Sequence, residues 1–222
     1  MKAAIIVAGG SGTRMNSPTP KQFLPLQGIP VLMHSLTSFY RFDPSIRLVL
    51  ALPEHLFDAW QELQNKYGTS IPHKLIPGGE TRFHSVYNCL QHLDKEELVA
   101  IHDGARPLLS QDLIHRLYTT AENEGSAVPV VPVDESMRVL ERSSNKPVDR
   151  SLFRIVQTPQ VFLTSLLQQA YSQPYSPFFT DDATVFESIG KPIHLVEGDP
   201  ANIKITHPVD LMIAEALLSA GI

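Results

Sequence analysis

Residues Ala3 to Ala8 form an uninterrupted apolar run, and Gly9, Gly10 and Gly12 follow it directly. Such a run ending in glycines reads as a buried strand that breaks into a tight loop. Without Cβ atoms in the way, the backbone N–H groups of that loop can close on an anion. Arg14 and then Lys21 supply a planar fork and a mobile point charge, two complementary ways to hold phosphate oxygens. Together these features predict a loop that binds a polyphosphate. No Gly-Lys-Ser/Thr follows the glycines, and GGSG does not fit G-x-G-x-x-G, so neither common nucleotide fingerprint applies.

Further along, apolar strand-like runs alternate with segments of helical spacing. The runs are Ile46–Leu52, His73–Ile76, Leu98–Ile101 and Val128–Val133; the helical segments are Val31–Tyr40, Glu54–Tyr67, Thr81–Leu93 and Gln111–Glu124. Strands apolar throughout and separated by helices predict an α/β fold with a mostly parallel twisted sheet and helices on both faces. Ligands of such sheets sit beyond the carboxyl ends of the strands. The first loop, Gly78-Gly79-Glu80-Thr81-Arg82 and His102-Asp103-Gly104-Ala105-Arg106-Pro107 all follow strands and are expected at that edge.

The rhythm changes at Asp134–Arg154, a polar stretch with a Ser-Ser-Asn-Lys-Pro turn. It reads as a projecting hairpin, and because a lone hairpin is marginal in water it is expected to pack on something, such as a second subunit. Downstream, a helix is expected over Leu163–Tyr171, Thr180-Asp181-Asp182 reads as a capped helix start, and Ala201–Ile205 reads as a short strand carrying Lys204. With 222 residues and 43% hydrophobic content the chain is expected to be one domain, 1–222, with 134–154 as an arm.

A formal charge of −5 argues against a general nucleic-acid binder. The single cysteine, Cys89, sits in an apolar helical pattern and fits a reducing compartment. No run approaches the roughly 18 apolar residues of a membrane span, so no membrane partner and a cytoplasmic location are expected. The histidines show no zinc-type spacing.

Taken in order, Ala8–Met15, Pro20–Phe23, Gly78–Val86, His102–Pro107, Val148–Arg150, Thr158–Phe162, Thr180–Ala183 and Asn202–Thr206 resemble the motifs of the 2-C-methyl-D-erythritol 4-phosphate cytidylyltransferase family across essentially the whole chain. The resemblance implies a Rossmann-like nucleotidyltransferase with a β-arm that interlocks two subunits into a homodimer. It also implies a reaction in which the acceptor phosphate attacks the α-phosphorus of CTP and expels pyrophosphate, in isoprenoid precursor synthesis. Arg14, Lys21 and Lys204 match the family's catalytic cations, the first two on the triphosphate and the third on the α-phosphate.

Cytidine binding maps by resemblance onto Ala8, Gly9, Gly10, Gly12, Gly79 and Ser85. The acceptor, a small sugar-alcohol phosphate, maps onto Asp103, Arg106, Thr180 and Asp181, with Ser136 and Arg150 supplied by the neighbouring arm. Mg²⁺ is expected on the CTP phosphates, with Asp103 as a candidate protein ligand. Ser136 stands where threonine is usual, the first loop reads VAGG in place of PAAG, and HDGARP has glycine where alanine is common. Two other readings stay open at this point: a ribitol-5-phosphate cytidylyltransferase sharing the same cations, and a non-catalytic nucleotide sensor on the same fold.

Overall fold

The computed structural model describes residues 1–10, 13–15, 17, 19–68, 70–93 and 97–221, with only the backbone of Thr13. In chain order the elements are β1 (Lys2–Val7), β2 (Pro25–Leu26), β3 (Ile29–Pro30), α1 (Val31–Phe42), β4 (Arg47–Leu52), α2 (Phe57–Tyr67), β5 (Lys74–Pro77), α3 (Arg82–Leu90), β6 (Leu98–Asp103), α4 (Gln111–Glu124) and β7 (Ser126–Pro132). They continue with β8 (Met137–Leu140), β9 (Asn145–Val148), β10 (Arg154–Val156), β11 (Gln160–Leu163), α5 (Thr164–Tyr171), α6 (Asp182–Glu187), β12 (Leu195–Glu197) and α7 (Pro208–Ser219).

An eight-stranded sheet runs in the order β10-β7-β11-β6-β1-β4-β5, with β12 also on β7. The pairs β6–β1, β1–β4, β4–β5 and β7–β12 are parallel, while β11 lies antiparallel between β6 and β7. Side chains alternate across β1: Ala4 and Ile6 pack with Leu36 and Phe39 of α1 and Leu117 of α4, whereas Ala3 and Ile5 face Val86 of α3 and Leu167 of α5. A period of two on a strand buried on both faces produces these two cores. Register places Val7 beside Asp103 and Leu52 beside Pro77. The loops after β1, β5 and β6 therefore open at one edge.

The helices start and stop where local chemistry dictates. Ser110 accepts from Leu113 N at 3.4 Å to cap α4, and Gly125 ends it in the left-handed region at φ 84°.

The structure departs from three expectations. The Ala201–Ile205 run is not a strand: Ile205 N reaches Ala105 O at 2.8 Å, but Asn202 turns its side chain inward to Thr158 O, also at 2.8 Å, so no ladder forms. Conversely, Gln160–Leu163 is a strand that the sequence reading does not mark. It and β10 both pair antiparallel with β7, and the cis Thr158–Pro159 bond lies between them. The helix expected to reach Leu93 ends at Leu90.

Within 134–154, β8 and β9 form an antiparallel ladder from Met137↔Val148 to Leu140↔Asn145. All residues from 138 to 147 are exposed. No helix among the described residues is long and apolar enough to cross a membrane.

Candidate active site

The loops after β1, β5 and β6, together with Lys21, Gln22 and Lys204, enclose a cleft of about 230 Å³. Its floor is backbone. Gly79 N donates to Ser85 Oγ at 3.0 Å, and that hydroxyl donates to Thr81 O at 3.0 Å. A Cβ on Gly79 would stand 2.4 Å from His84 Cβ and 2.8 Å from His84 C, so the turn closes onto α3 only with glycine. Thr81 caps α3 through a hydrogen bond from His84 N.

Asp103, at the end of β6, is the hub. Lys204 Nζ donates to its Oδ2 at 2.7 Å and Arg82 Nε to its Oδ1 at 3.3 Å, while Arg106 Nε lies 3.9 Å from Oδ2. Burial works to raise the Asp103 pKa, but Arg82 and Lys204 outweigh it and hold the carboxyl well below the usual range. Behind it, His102 Nε2 pairs with Arg106 O at 3.1 Å and Nδ1 with Thr158 Oγ1 at 3.3 Å. Burial lowers this histidine to about 4, so the ring is neutral at pH 7. Since a carbonyl only accepts, Nε2 carries the proton and Nδ1 accepts from Thr158. The Thr158 oxygen in turn accepts from Asp103 N at 3.0 Å.

Lys21 Nζ donates to Ile205 O at 3.0 Å, which brings it against the residue next to Lys204. Burial first, and then the Lys204 charge, push its amine below the ordinary lysine range. The two lysines are thus held near one another with excess positive charge, an arrangement that an incoming polyanion would relieve. Arg14 is exposed on a 3-10 turn, and its charge also acts on Lys21. The neighbouring Met15 anchors that turn, buried with Leu26, Val31 and Ile205.

The segment bearing Lys204 is fastened from three directions. Arg106 donates to Asn202 O at 2.7 Å, Gln157 Nε2 to Asp199 O at 2.8 Å, and Asn202 Nδ2 to Thr158 O. These bonds account for the TPQ and NIK blocks as one structural unit.

Of the residues expected at the site, Ala8, Gly9, Gly10, Lys21, Gly79, Ser85, Asp103 and Lys204 line one cleft. Gly12 lies outside the described residues. Arg106 does not line the cleft; it is buried behind Asp103, where the Asn202 carbonyl draws its guanidinium inward. Asp181 caps α6, accepting from Thr184 N on Oδ1 at 3.0 Å and from Gln160 Nε2 on Oδ2 at 2.9 Å, and Thr180 precedes it, exposed. Ser136 and Arg150 are exposed on the arm, Arg150 donating to Asp134 O.

Gln22, Arg82 and Asp182 belong to the cleft or its wall; each lies within a motif block, but the sequence does not single out any of the three as a site residue. Gln22 Nε2 donates to Ala8 O at 3.0 Å, leaving a buried Oε1 without a partner among the described residues. Arg82 forks onto Asp182, NH1 to Oδ1 at 2.9 Å and NH2 to Oδ2 at 2.6 Å. The available signal is Arg82 itself: a cation in the first turn of a helix is unfavourable unless acids surround it.

A family model for 2-C-methyl-D-erythritol 4-phosphate cytidylyltransferase matches residues 2–220. The protein of that name from Bacteroides fragilis is 49% identical over 217 residues, covering 98% of this chain and 99% of its own. That from Geobacillus kaustophilus is 40% identical over 220 residues, covering 98% and 96%. The crystal structure of 2-C-methyl-D-erythritol 4-phosphate cytidylyltransferase from Thermus thermophilus superimposes with a TM-score of 0.77 at 33% identity, covering 99% of this chain and 100% of that one. Matched end to end in sequence and in fold, the chain belongs to the 2-C-methyl-D-erythritol 4-phosphate cytidylyltransferase family.

Proposed function

We propose that this protein transfers a cytidylyl group from CTP to 2-C-methyl-D-erythritol 4-phosphate, releasing pyrophosphate and forming 4-diphosphocytidyl-2-C-methyl-D-erythritol for isoprenoid synthesis. The observation that carries the reading is the convergence of Lys21, Lys204 and Asp103 on a glycine-floored cleft at the sheet's carboxyl edge. An oxygen of the acceptor phosphate forms a bond to the α-phosphorus while the bond to the β-phosphate bridging oxygen breaks. That nucleophile is already anionic, so the protein's contribution is alignment and charge stabilisation.

Lys21 and Arg14 take the triphosphate and leaving pyrophosphate, and Lys204 leaves Asp103 to brace the α-phosphate. Gly9, Gly10, Gly79 and Ser85 present backbone and hydroxyl groups to the nucleotide, joined by Ala8. Asp103, freed on its Oδ2 side, orients the acceptor or the ion that CTP brings. No cluster of three metal-ligating side chains exists among the described residues, and the carboxylates lining the cleft are Glu80 and Asp103. Mg²⁺ would therefore be carried mainly by phosphate oxygens, beside Asp103 and Glu80, and would supply neutralisation of the charge that develops there.

The arm and the adjoining β10 support a homodimer. Val139, Leu140, Leu152 and Phe153 of the arm and Ile155 and Val156 of β10 are exposed in the isolated chain, an apolar surface of the kind that a partner covers. Ser136 and Arg150 would then reach the acceptor of the neighbouring subunit, with Thr180 on the opposite side. Location in the cytoplasm fits a pathway that consumes CTP.

The test is a pyrophosphate-release assay with CTP and Mg²⁺, offering methylerythritol 4-phosphate and ribitol 5-phosphate in parallel. Strong preference for the former supports the proposal. Preference for ribitol phosphate overturns the acceptor, and release with neither overturns the reaction.

A further inference from the structure

Asp182 is fully buried at 0% exposure, yet it carries a carboxylate. It accepts the Arg82 fork on both oxygens and the Tyr171 hydroxyl on Oδ1 at 2.6 Å. The stability gained from a buried ion pair seldom offsets its desolvation, and an apolar pair of similar volume usually serves as well. This one adjoins the cleft, because the same guanidinium donates its Nε–H to Asp103 Oδ1. The geometry points to Asp182 as a positioning residue for the cytidylyl transfer proposed above, a role that rests on that reading: by engaging the fork of Arg82, it keeps Asp103 Oδ2 open for Lys204.

A guanidinium prefers to grip a carboxylate with two parallel N–H groups. Arg82 instead meets Asp103 with Nε alone, because NH1 and NH2 are both turned toward Asp182, which fixes the plane of the guanidinium. Lys204 occupies the oxygen that is left, at 2.7 Å. Without the Asp182 charge, Arg82 is free to turn its fork onto Asp103, cover both oxygens and displace Lys204. The series Tyr171–Asp182–Arg82–Asp103–Lys204 thus passes an orientation from the buried side of α5 and α6 to the cleft, although among the described residues Asp182 hydrogen-bonds to no cleft residue except Arg82.

Asp182→Asn is near-isosteric and tests this directly. Two readouts are needed: steady-state kinetics with CTP and the acceptor, and ¹⁵N NMR of the lysine ammonium groups, with the Lys204 signal assigned by its loss in Lys204→Arg. The expected result is a kcat about 10- to 100-fold lower with KM for CTP within threefold, and loss of the hydrogen-bonded Lys204 ammonium signal. Tyr171→Phe keeps the ring stacked on Phe83 and removes one bond to Asp182, so it should give a smaller loss of the same kind; it also carries the test should Asp182→Asn fail to fold. An unchanged Lys204 signal in the folded variants, with kcat unchanged or KM and kcat altered together, overturns the role. If the wild-type protein turned over neither acceptor while the Lys204 signal still depended on Asp182, the coupling would stand and the reaction reading alone would fail.

Discussion

Lys204 and Asp103 stand 101 positions apart in sequence and 2.7 Å apart in space, amine to carboxylate. The pair joins the two ends of the site, a β6 terminus fixed in the sheet and a strap that no ladder holds. Its lysine is 42% exposed in side chain and its carboxylate only 12%, so the lysine is the partner able to move toward a ligand.

The floor of the cleft depends on the absence of one carbon. Gly79→Ala places a Cβ inside the contact distance of His84 backbone and Cβ atoms, which must shift α3 or open the turn. Overpacking of this kind costs about 1–3 kcal/mol. A thermal melt should show a lowered midpoint, and titration with CTP should show weaker binding than that of the wild-type protein.

Acid should weaken the fold in two stages. His102 is held at about 4 by burial, against about 6.5 in an unfolded chain. Between those values the unfolded state binds more protons, so stability falls as pH drops from about 6.5 to about 4. Burial also lowers His73, with the same sign. Asp103 contributes stability that is present above the unfolded carboxyl value of 3.8 and lost as pH falls through its lower folded value. Urea midpoints measured at about pH 7, 5.5 and 4.5 should decline in that order, with a shallower decline in a folded His102→Asn variant.

The arm is expected to hold two chains together. Leu140 and Leu152 are 82% and 79% exposed, and replacing both by Glu would bury charge in any interface they form. Sedimentation should show a dimer for the wild-type protein and a monomer for the double variant, each with the same circular dichroism spectrum. A wild-type monomer at micromolar concentration would remove the arm from the proposal.

Much of this architecture is legible because the signals are local. β1 and its glycines, α4 between Ser110 and Gly125, and a turn-centred polar stretch at 134–154 each declare themselves within a few residues. β11 does not, because four residues after a proline gain strand character only from β6 and β7 on either side. The Ile203 and Ile205 alternation imitates a strand, but Ile205 is anchored in a satellite core with Met15 and Ala214.

Site residues follow the same rule. Lys21, Asp103, Arg82 and Asp182 each lie within a motif block, but the Arg82–Asp182 fork joins two blocks 100 positions apart, and neither block alone declares that pairing. Arg106 lies deeper than its motif suggests, because the Asn202 carbonyl, free of any ladder, accepts its guanidinium on the inner side.

The most direct measurement is single-turnover transfer by Lys204→Ala, run beside CTP affinity by calorimetry. Loss of one preorganised donor typically slows such a step on the order of a hundred- to a thousandfold. The account predicts that loss in rate with CTP affinity held within a few-fold. Undiminished turnover with CTP still bound would contradict it, because the amine that leaves Asp103 would then do nothing for the α-phosphate.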